Sequence, residues 1–397
     1  MKIAILYDVI FPYSIGGGEK INWEVARRLA ARGHDVYLVS SKMWEGESEM
    51  DRDGVHYVGV CRWLATSNNL GNRSSLQPFL FAASAFTYLR KNKFDVVACN
   101  AFPYLSCLTA KLAGWLNSAP LVITWYEARG FHAWRSYAGI FYGIFASILE
   151  KWTAGLTSHH NTISHYTAER MEKILAIPKQ NITVIPCGVD LVDVQPKAPV
   201  TKEKTILYAG RVVRHKRVDL LIEAFAELAK EFPDYHVKII GPGTEKTALQ
   251  AKVRTLDLEN QIRFFDTMVG KSLYDEFRKA SLFVLPSDQE GFGMVLIEAM
   301  AAETPVIAKI AELSAASTVI QHGVNGLLFT SKDELCASIR QVLTDENLRA
   351  RLVIGGKETA GQYDWESVII PAMEEYLEAV PRPSQYNGSS TPTHLQA

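Results

Sequence analysis

Glu290 and Glu298 stand eight residues apart around Gly291-Phe292-Gly293-Met294. The stretch follows the apolar run 282–285 and Pro286, and it opens a helical pattern. Glu290 therefore falls in the loop, and Glu298 about two turns into the helix. The amides of Phe292, Gly293 and Met294 then lie at a helix N-terminus, where N–H groups and the dipole favour an anion. A diphosphate or a sugar hydroxyl suits that position, and Glu298 lies within reach of a ribose. The plainer alternative is a helix cap with a solvated first-turn carboxylate, which the dipole also favours. A second concentration of chemistry is Gly210-Arg211-Val212-Val213-Arg214-His215-Lys216-Arg217. Four basic residues and a histidine at the carboxyl end of a strand can clamp a diphosphate, whose charge Arg and Lys stabilise without a metal. A solvated basic loop is the alternative.

Three other clusters carry weaker signals. Gly16-Gly17-Gly18 starts the first helical pattern and lets backbone approach a ligand closely. It is not a dinucleotide fingerprint, because Ile21 stands where the third glycine belongs. Asp51-Arg52-Asp53 has the form of a metal-binding D-x-D. It lies in the acidic stretch 45–53 with no apolar strand leading into it, and reads as a solvated charged loop. His159 and His160 are adjacent and would point to opposite faces of a strand. No metal is expected at either place.

The elements that must position these residues alternate strand and helix. Strand patterns at 3–7, 36–39, 55–60, 95–99 and 121–124 are separated by helical stretches, the first at 19–32 with Ile21, Val25, Leu29 and Ala30 in one stripe. A Pro/Lys stretch at 195–200 reads as a linker. A second series follows at 205–209, 236–240, 262–264, 282–285 and 305–308. Regular βα alternation predicts parallel sheets covered on both faces. The end of the chain, PRPSQYNGSSTPTHLQA, reads as a polar, disordered tail.

The E-x7-E pattern with its internal Gly-Phe-Gly resembles the retaining glycosyltransferases of family 4, the "glycosyl transferases group 1" type with the GT-B fold. Four other stretches agree in order: Gly16-Gly17-Gly18 with Arg32-Gly33-His34-Asp35-Val36, then 184–190, then Gly210-Arg211 with Lys216, then His322-Gly323 with Asn325-Gly326. The resemblance runs from residue 1 to about 365. It implies an α/β GT-B fold, two Rossmann-like domains facing a central cleft. Residues 1–196 would form the acceptor domain, rejoined by a C-terminal helix at 364–380, and 197–363 the nucleotide-sugar domain, with 381–397 as the tail. By the same resemblance Arg211 and Lys216 clamp the diphosphate, Glu290 contacts sugar hydroxyls, and Glu298 binds the ribose diol. Gly17, Gly18, Gly210, Phe292, Gly293 and Met294 complete the donor site. Arg214 and Arg217 read as surface charge.

The pattern departs from the family at several points. Tyr126 occupies the position of a sugar-contacting histidine, with Glu127 matching the acid beside it. Tyr126 then substitutes as a donor, His132 comes in from the next loop, or catalytic power is reduced. Glu127 orients an acceptor, acts as a base, or is a paired structural carboxylate. Cys187 replaces the usual Asn, and 314–318 lacks the common Gly-Gly and Glu. The expected activity is retaining, metal-independent transfer of a sugar, hexosyl by type, from a nucleotide-sugar to a glycan, lipid-linked or small-molecule acceptor, with no cofactor. The alternatives are a weak or inactive nucleotide-sugar-binding protein of this fold, or a GT-B phosphorylase or epimerase.

Composition sets the outer bounds. Of 397 residues, 48% are apolar and 21% charged, and the net charge is −1. This is a globular chain with no global signature of a nucleic-acid binder. Five cysteines form no CxxC pair and read as reduced thiols of a cytoplasmic protein. No signal peptide and no membrane-spanning run is expected. Residues 54–180 nevertheless carry 12 Lys/Arg against 5 Asp/Glu, interleaved with aromatics. The stretch 131–152 reads either as a peripheral contact with anionic membrane at its cytoplasmic face or as a helix burying Ile140, Ile144 and Ile148.

Overall fold

Apolar runs of four to eight residues rich in Val, Ile and Leu cannot satisfy their backbone groups alone, and pairing side by side does so while both faces stay dry. The computed structural model describes residues 1–64, 74, 76–195 and 200–381. The middle of the linker expected at 195–200, and the tail from 382, lie outside the described residues. The chain divides into two units: Met1–Ile163, Thr167–Ile185 and the chain from Ile370 in one, Ser164–Tyr166 and Pro186–Ile369 in the other.

The first unit holds strands β1 (Lys2–Leu6), β2 (Asp35–Lys42), β3 (Glu49–Arg52), β4 (Val55–Arg62), β5 (Val96–Asn100), β6 (Leu121–Trp125), β7 (His160–Thr162) and β8 (Ile182–Val184). They form one sheet in the order β3-β4-β2-β1-β5-β6-β7-β8. Every pairing is parallel except β3 with β4. The stretch 45–53, expected as a loop, is thus partly an edge strand. Asp53 and Gly54, both at positive φ, make the tight turn that joins β3 to β4, and an Asp-Gly pair is the usual sequence sign of such a hairpin. The helices are α1 (Gly17–Ala31), α2 (Gln77–Lys91), α3 (Tyr104–Asn117), α4 (Gly130–Ala138), α5 (Ile140–Ala154) and α6 (His165–Leu175). Phe81 and Ala85 of α2, Cys107 and Ala110 of α3, Ala146 of α5 and Met171 of α6 join Leu6, Val97 and Ile123 in one buried cluster.

Of the two readings of the stretch 131–152, the one that buries Ile140, Ile144 and Ile148 is overturned: they are 49, 47 and 50% exposed. The inward face of α5 carries Gly143, Ala146, Glu150, Thr153 and Ala154 instead. Small residues face inward because α5 lies hard against α4. A Cβ on Gly143 would meet the Arg135 backbone at 2.9 Å, so the bulky side chains have only the outside left.

The second unit holds β9 (Glu203–Ala209), β10 (His236–Ile240), β11 (Ile262–Phe265), β12 (Ala280–Leu285), β13 (Gln289–Glu290), β14 (Val306–Lys309), β15 (Leu313–Ser314) and β16 (Leu327–Phe329). Six of them pair in the order β11-β10-β9-β12-β14-β16, and β13 pairs with β15. Taken by chain order, the main sheet runs 3-2-1-4-5-6, the doubly wound arrangement whose order reverses between β9 and β12. Its helices are α7 (Leu191–Val194), α8 (Val218–Leu228), α9 (Lys246–Thr255), α10 (Lys271–Lys279), α11 (Met294–Ala301), α12 (Ala316–Val319), α13 (Lys332–Thr344) and α14 (Glu346–Gly361). A π-helical turn at Trp365–Ile369 leads to α15 (Ile370–Ala379), which packs on α1 in the first unit. Both units are Rossmann-like.

Candidate functional site

In an open α/β sheet the carboxyl ends of the strands diverge where the order reverses, and a ligand fits the gap. In the second unit that gap lies past the ends of β9 and β12. The chain leaving β9 turns at Gly210 (φ +151°). Tyr208, fully buried, holds the turn by donating its hydroxyl to the Arg211 carbonyl at 2.9 Å. Burial, with the Glu290 carboxylate adding to it, raises the Tyr208 pKa, so this donor keeps its proton. Beside it the chain leaving β10 turns at Gly241, where a Cβ would stand 2.1 Å from the Gly210 carbonyl oxygen. Gly241 and Gly243 are therefore what lets the β9 turn lie against the β10 turn, and the sequence reading passed over both. Arg211 itself is exposed.

Lys216 sits in the short 3-10 turn Arg214–Lys216 and reaches across the gap. Its Nζ is 2.6 Å from Glu290 Oε1 and 3.3 Å from the Gln289 carbonyl. The two side chains are 15% and 12% exposed. An ammonium has three protons, and two are engaged here. Glu290 is held from the other side as well: β13 pairs with β15, and Ala315 N–H donates to its carbonyl at 2.8 Å. The loop then passes Phe292, whose ring is buried against Tyr363 with centroids 5.4 Å apart. That side chain belongs to the core, so its amide is what Phe292 can offer a ligand. Gly293, at φ +90°, caps α11 ahead of Met294, and Glu298 follows within α11 at 6% exposure. The structure thus brings Gly210, Arg211, Lys216, Glu290 and the N-terminus of α11 to the same sheet edge.

A neighbouring group escaped notice in the sequence. Asp288 accepts from Lys309 at 2.6 Å and from Arg217 at 3.4 Å, and Arg217 also binds Asp219. Arg217, expected as surface charge, is therefore part of a fixed ion-pair array. An acid two residues before Glu290 was the only sign of it.

In the first unit the corresponding reversal lies between β1 and β5. Gly17 opens α1, with Gly16 as its cap. The Tyr126 ring lies across this turn, so close that a Cβ on Gly18 would meet its Cε2 at 3.0 Å. The Tyr126 hydroxyl is 3.0 Å from Asn22 Oδ1 and 3.5 Å from the Gly18 carbonyl. Glu127, its neighbour in sequence, goes elsewhere: its carboxylate pairs with Arg129 at 2.6 Å. The Arg129 guanidinium in turn lies 4.6 Å over the Trp134 ring. His132 is on α4, exposed, with its ring beside that of Phe131. Tyr126 and the glycine turn come together; Glu127 is paired with Arg129, and His132 lies beside Phe131.

The other candidates are engaged in structure. His160 accepts from Trp125 Nε1 at 3.1 Å and lies 3.0 Å from the Thr157 carbonyl, and burial lowers its pKa to about 4. Asp51 pairs with His56, and Asp53 with Arg52. Among the described residues, His34, Glu374 and Glu378 group their ligand atoms within 4.8 Å. Glu374 is already bound by His34 and Arg32, which hold its carboxyl below the usual range. That group ties α15 to the start of β2.

Comparison with known proteins gives two matches laid end to end. Residues 15–193 match the family described as Glycosyltransferase Family 4, and residues 192–359 match Glycosyl transferases group 1. A D-inositol 3-phosphate glycosyltransferase of Thermobispora bispora is 28% identical over 56% of each chain. The chain spans about half the length of the curated relatives it matches. Among solved structures, a sucrose-phosphate synthase from Thermosynechococcus elongatus superposes with a TM-score of 0.81 at 20% identity, covering 95% of this chain and 98% of that one. The Anabaena protein HepE in complex with UDP-glucose gives 0.75 at 18% identity, covering 96% and 100%. These likenesses show the fold, GT-B.

Proposed function

We propose that this chain, which belongs to glycosyltransferase family 4, transfers a sugar from a nucleoside-diphosphate sugar to an acceptor hydroxyl with retention at the anomeric carbon and without a metal. The observation that carries this reading is the Lys216–Glu290 pair, 2.6 Å apart at the reversal of the second sheet. A cation and a carboxylate held together there can serve two ends of one donor. Lys216, with Arg211, faces the diphosphate; Glu290 accepts from sugar hydroxyls; the α11 amides receive an anion. The HepE neighbour holding UDP-glucose supports a donor of this class.

Chemically, the bond from the anomeric carbon to the diphosphate oxygen breaks while a bond to the acceptor oxygen forms on the same face. The acceptor's proton passes to the departing phosphate oxygen. Charge grows on the diphosphate as the bond lengthens, and preorganised cations stabilise that charge most in the transition state. No nucleophile from the protein is required on this route. The Tyr126 hydroxyl, fixed on Asn22 and the glycine turn, is offered as the hydrogen-bonding group in place of a histidine.

The test is to incubate the protein with UDP-, GDP- and ADP-sugars in a chelator, with a lipid and glycan extract supplying acceptors. Diphosphate release and the anomeric configuration of the product are followed by NMR. Release in chelator with an α-linked product from an α-linked donor is expected, slowed roughly 100-fold or more in Lys216→Ala. An inverted product, or release only after a divalent ion is added, contradicts the reading. Release of a sugar phosphate on addition of inorganic phosphate would mark a phosphorylase instead.

A further inference from the structure

On α5 the large side chains and the small ones part cleanly. Phe141, Phe145, Ile148 and Trp152 follow one another at helical spacing and are 87, 56, 50 and 69% exposed. The opposite face carries the buried Gly143, Ala146, Glu150, Thr153 and Ala154. The neighbouring α3, which packs on α5, repeats the arrangement. Leu108, Leu112, Trp115 and Leu116 are exposed, Trp115 by 78%, while Cys107, Ala110, Ala113 and Gly114 are buried. Two adjacent helices therefore both turn their bulk away from the protein. A single exposed leucine needs no explanation, but a contiguous apolar face does.

The exposed charges of α3, α4 and α5 have one sign. Lys111 on α3 and Lys151 on α5 are exposed beside the apolar stripes, and Arg135 of α4 is exposed close by. Neither α3 nor α4 contains an acidic residue. The one acid of α5, Glu150, is turned inward, where it accepts from the amides of Arg129 and Gly130 and from Trp134 Nε1 at 2.8–3.1 Å. Its negative charge is taken up at the N-terminus of α4 and does not offset the lysines. We propose that the α3–α5 face docks the protein onto an anionic lipid surface, with the aromatic rings in the headgroup layer and Lys111, Lys151 and Arg135 on the phosphates.

Other occupants fit less well. The parts of the chain outside the described residues offer Leu70, Tyr386 and Leu395 as their large apolar side chains, too few to cover two helices. A second copy would bring like-charged rims together, which opposes association. No described helix is long and apolar enough to cross a membrane. Helices that are apolar outward, with indoles and basic residues at the margin, lie in the interface rather than through it. The inference is independent of the donor site, so either can fail without the other.

The test uses the full chain sedimented with phosphatidylglycerol–phosphatidylcholine vesicles and with phosphatidylcholine alone, at low and high salt. Binding to the anionic vesicles only, reversed by high salt, is expected. Phe141→Ser with Trp152→Ser should weaken it about tenfold, and Lys111→Glu with Lys151→Glu about tenfold or more. Thermal unfolding of both variants should stay at the parent value, since the changed side chains are solvent-facing. Failure of the folded parent to sediment with anionic vesicles would overturn the proposal, as would variants that bind as well as the parent. A dimer in solution that Phe141→Ser dissolves, without vesicle binding, would assign the face to a second copy.

Discussion

At β7 the ring of His160 is held between two groups that leave no place for a second proton. Trp125 donates to Nδ1, so Nε2 carries the hydrogen that meets the Thr157 carbonyl. Burial disfavours the charged ring and lowers its pKa from 6.5 to about 4, and protonating Nδ1 would also set two N–H groups face to face. The folded value is depressed, so the unfolded chain binds the proton first. The neutral ring therefore contributes stability that is present above pH ~6.5 and is lost as pH falls toward 4, up to about 3 kcal/mol. Urea unfolding of parent and His160→Gln across that window should show the parent losing more stability on acidification. Equal losses would mean that another group governs the acid response. Both ring nitrogens are thus engaged within the fold.

At the scale of elements, the sheet-end turns of the second unit depend on backbone contact. Gly241 sits at φ +136°, and a Cβ there would lie 2.1 Å from the Gly210 carbonyl. Gly241→Ala should lower stability by about 2 kcal/mol or more and loosen the loop that carries Arg211. Denaturant unfolding measures the first, and an unchanged midpoint would show that the two turns separate without cost. The alternation of strand and helix, and with it the fold class, was legible because buried parallel strands are apolar throughout and the helices between them are not. The β3–β4 hairpin was missed because its edge strand is charged and its signal was the two residues Asp53-Gly54. Gly241 was missed because only the neighbouring turn makes a glycine necessary there. The exposure of Ile140, Ile144 and Ile148 stayed open in the sequence because periodicity marks an apolar stripe without saying which way it faces. Of the roles the sequence left open for Glu127, the structure shows a pairing with Arg129, a partner two residues on that carries no spacing signal.

For the whole molecule, each unit is a doubly wound sheet whose reversal gathers the chemistry-bearing residues of its own half: Gly18, Asn22 and Tyr126 in one, Arg211, Lys216, Glu290 and the α11 N-terminus in the other. Duplication of a ligand-receiving edge within one chain suits a reaction that joins two substrates. The second unit's edge, with the Lys216–Glu290 pair, is the proposed donor site. The most direct test is calorimetric titration of the full chain with a panel of UDP-, GDP- and ADP-sugars, no metal added. One donor should bind saturably, and Lys216→Ala and Glu298→Ala, each confirmed folded, should abolish that binding. Saturable binding that both variants retain would place the donor elsewhere, and no binding of any donor by the folded protein would contradict the account.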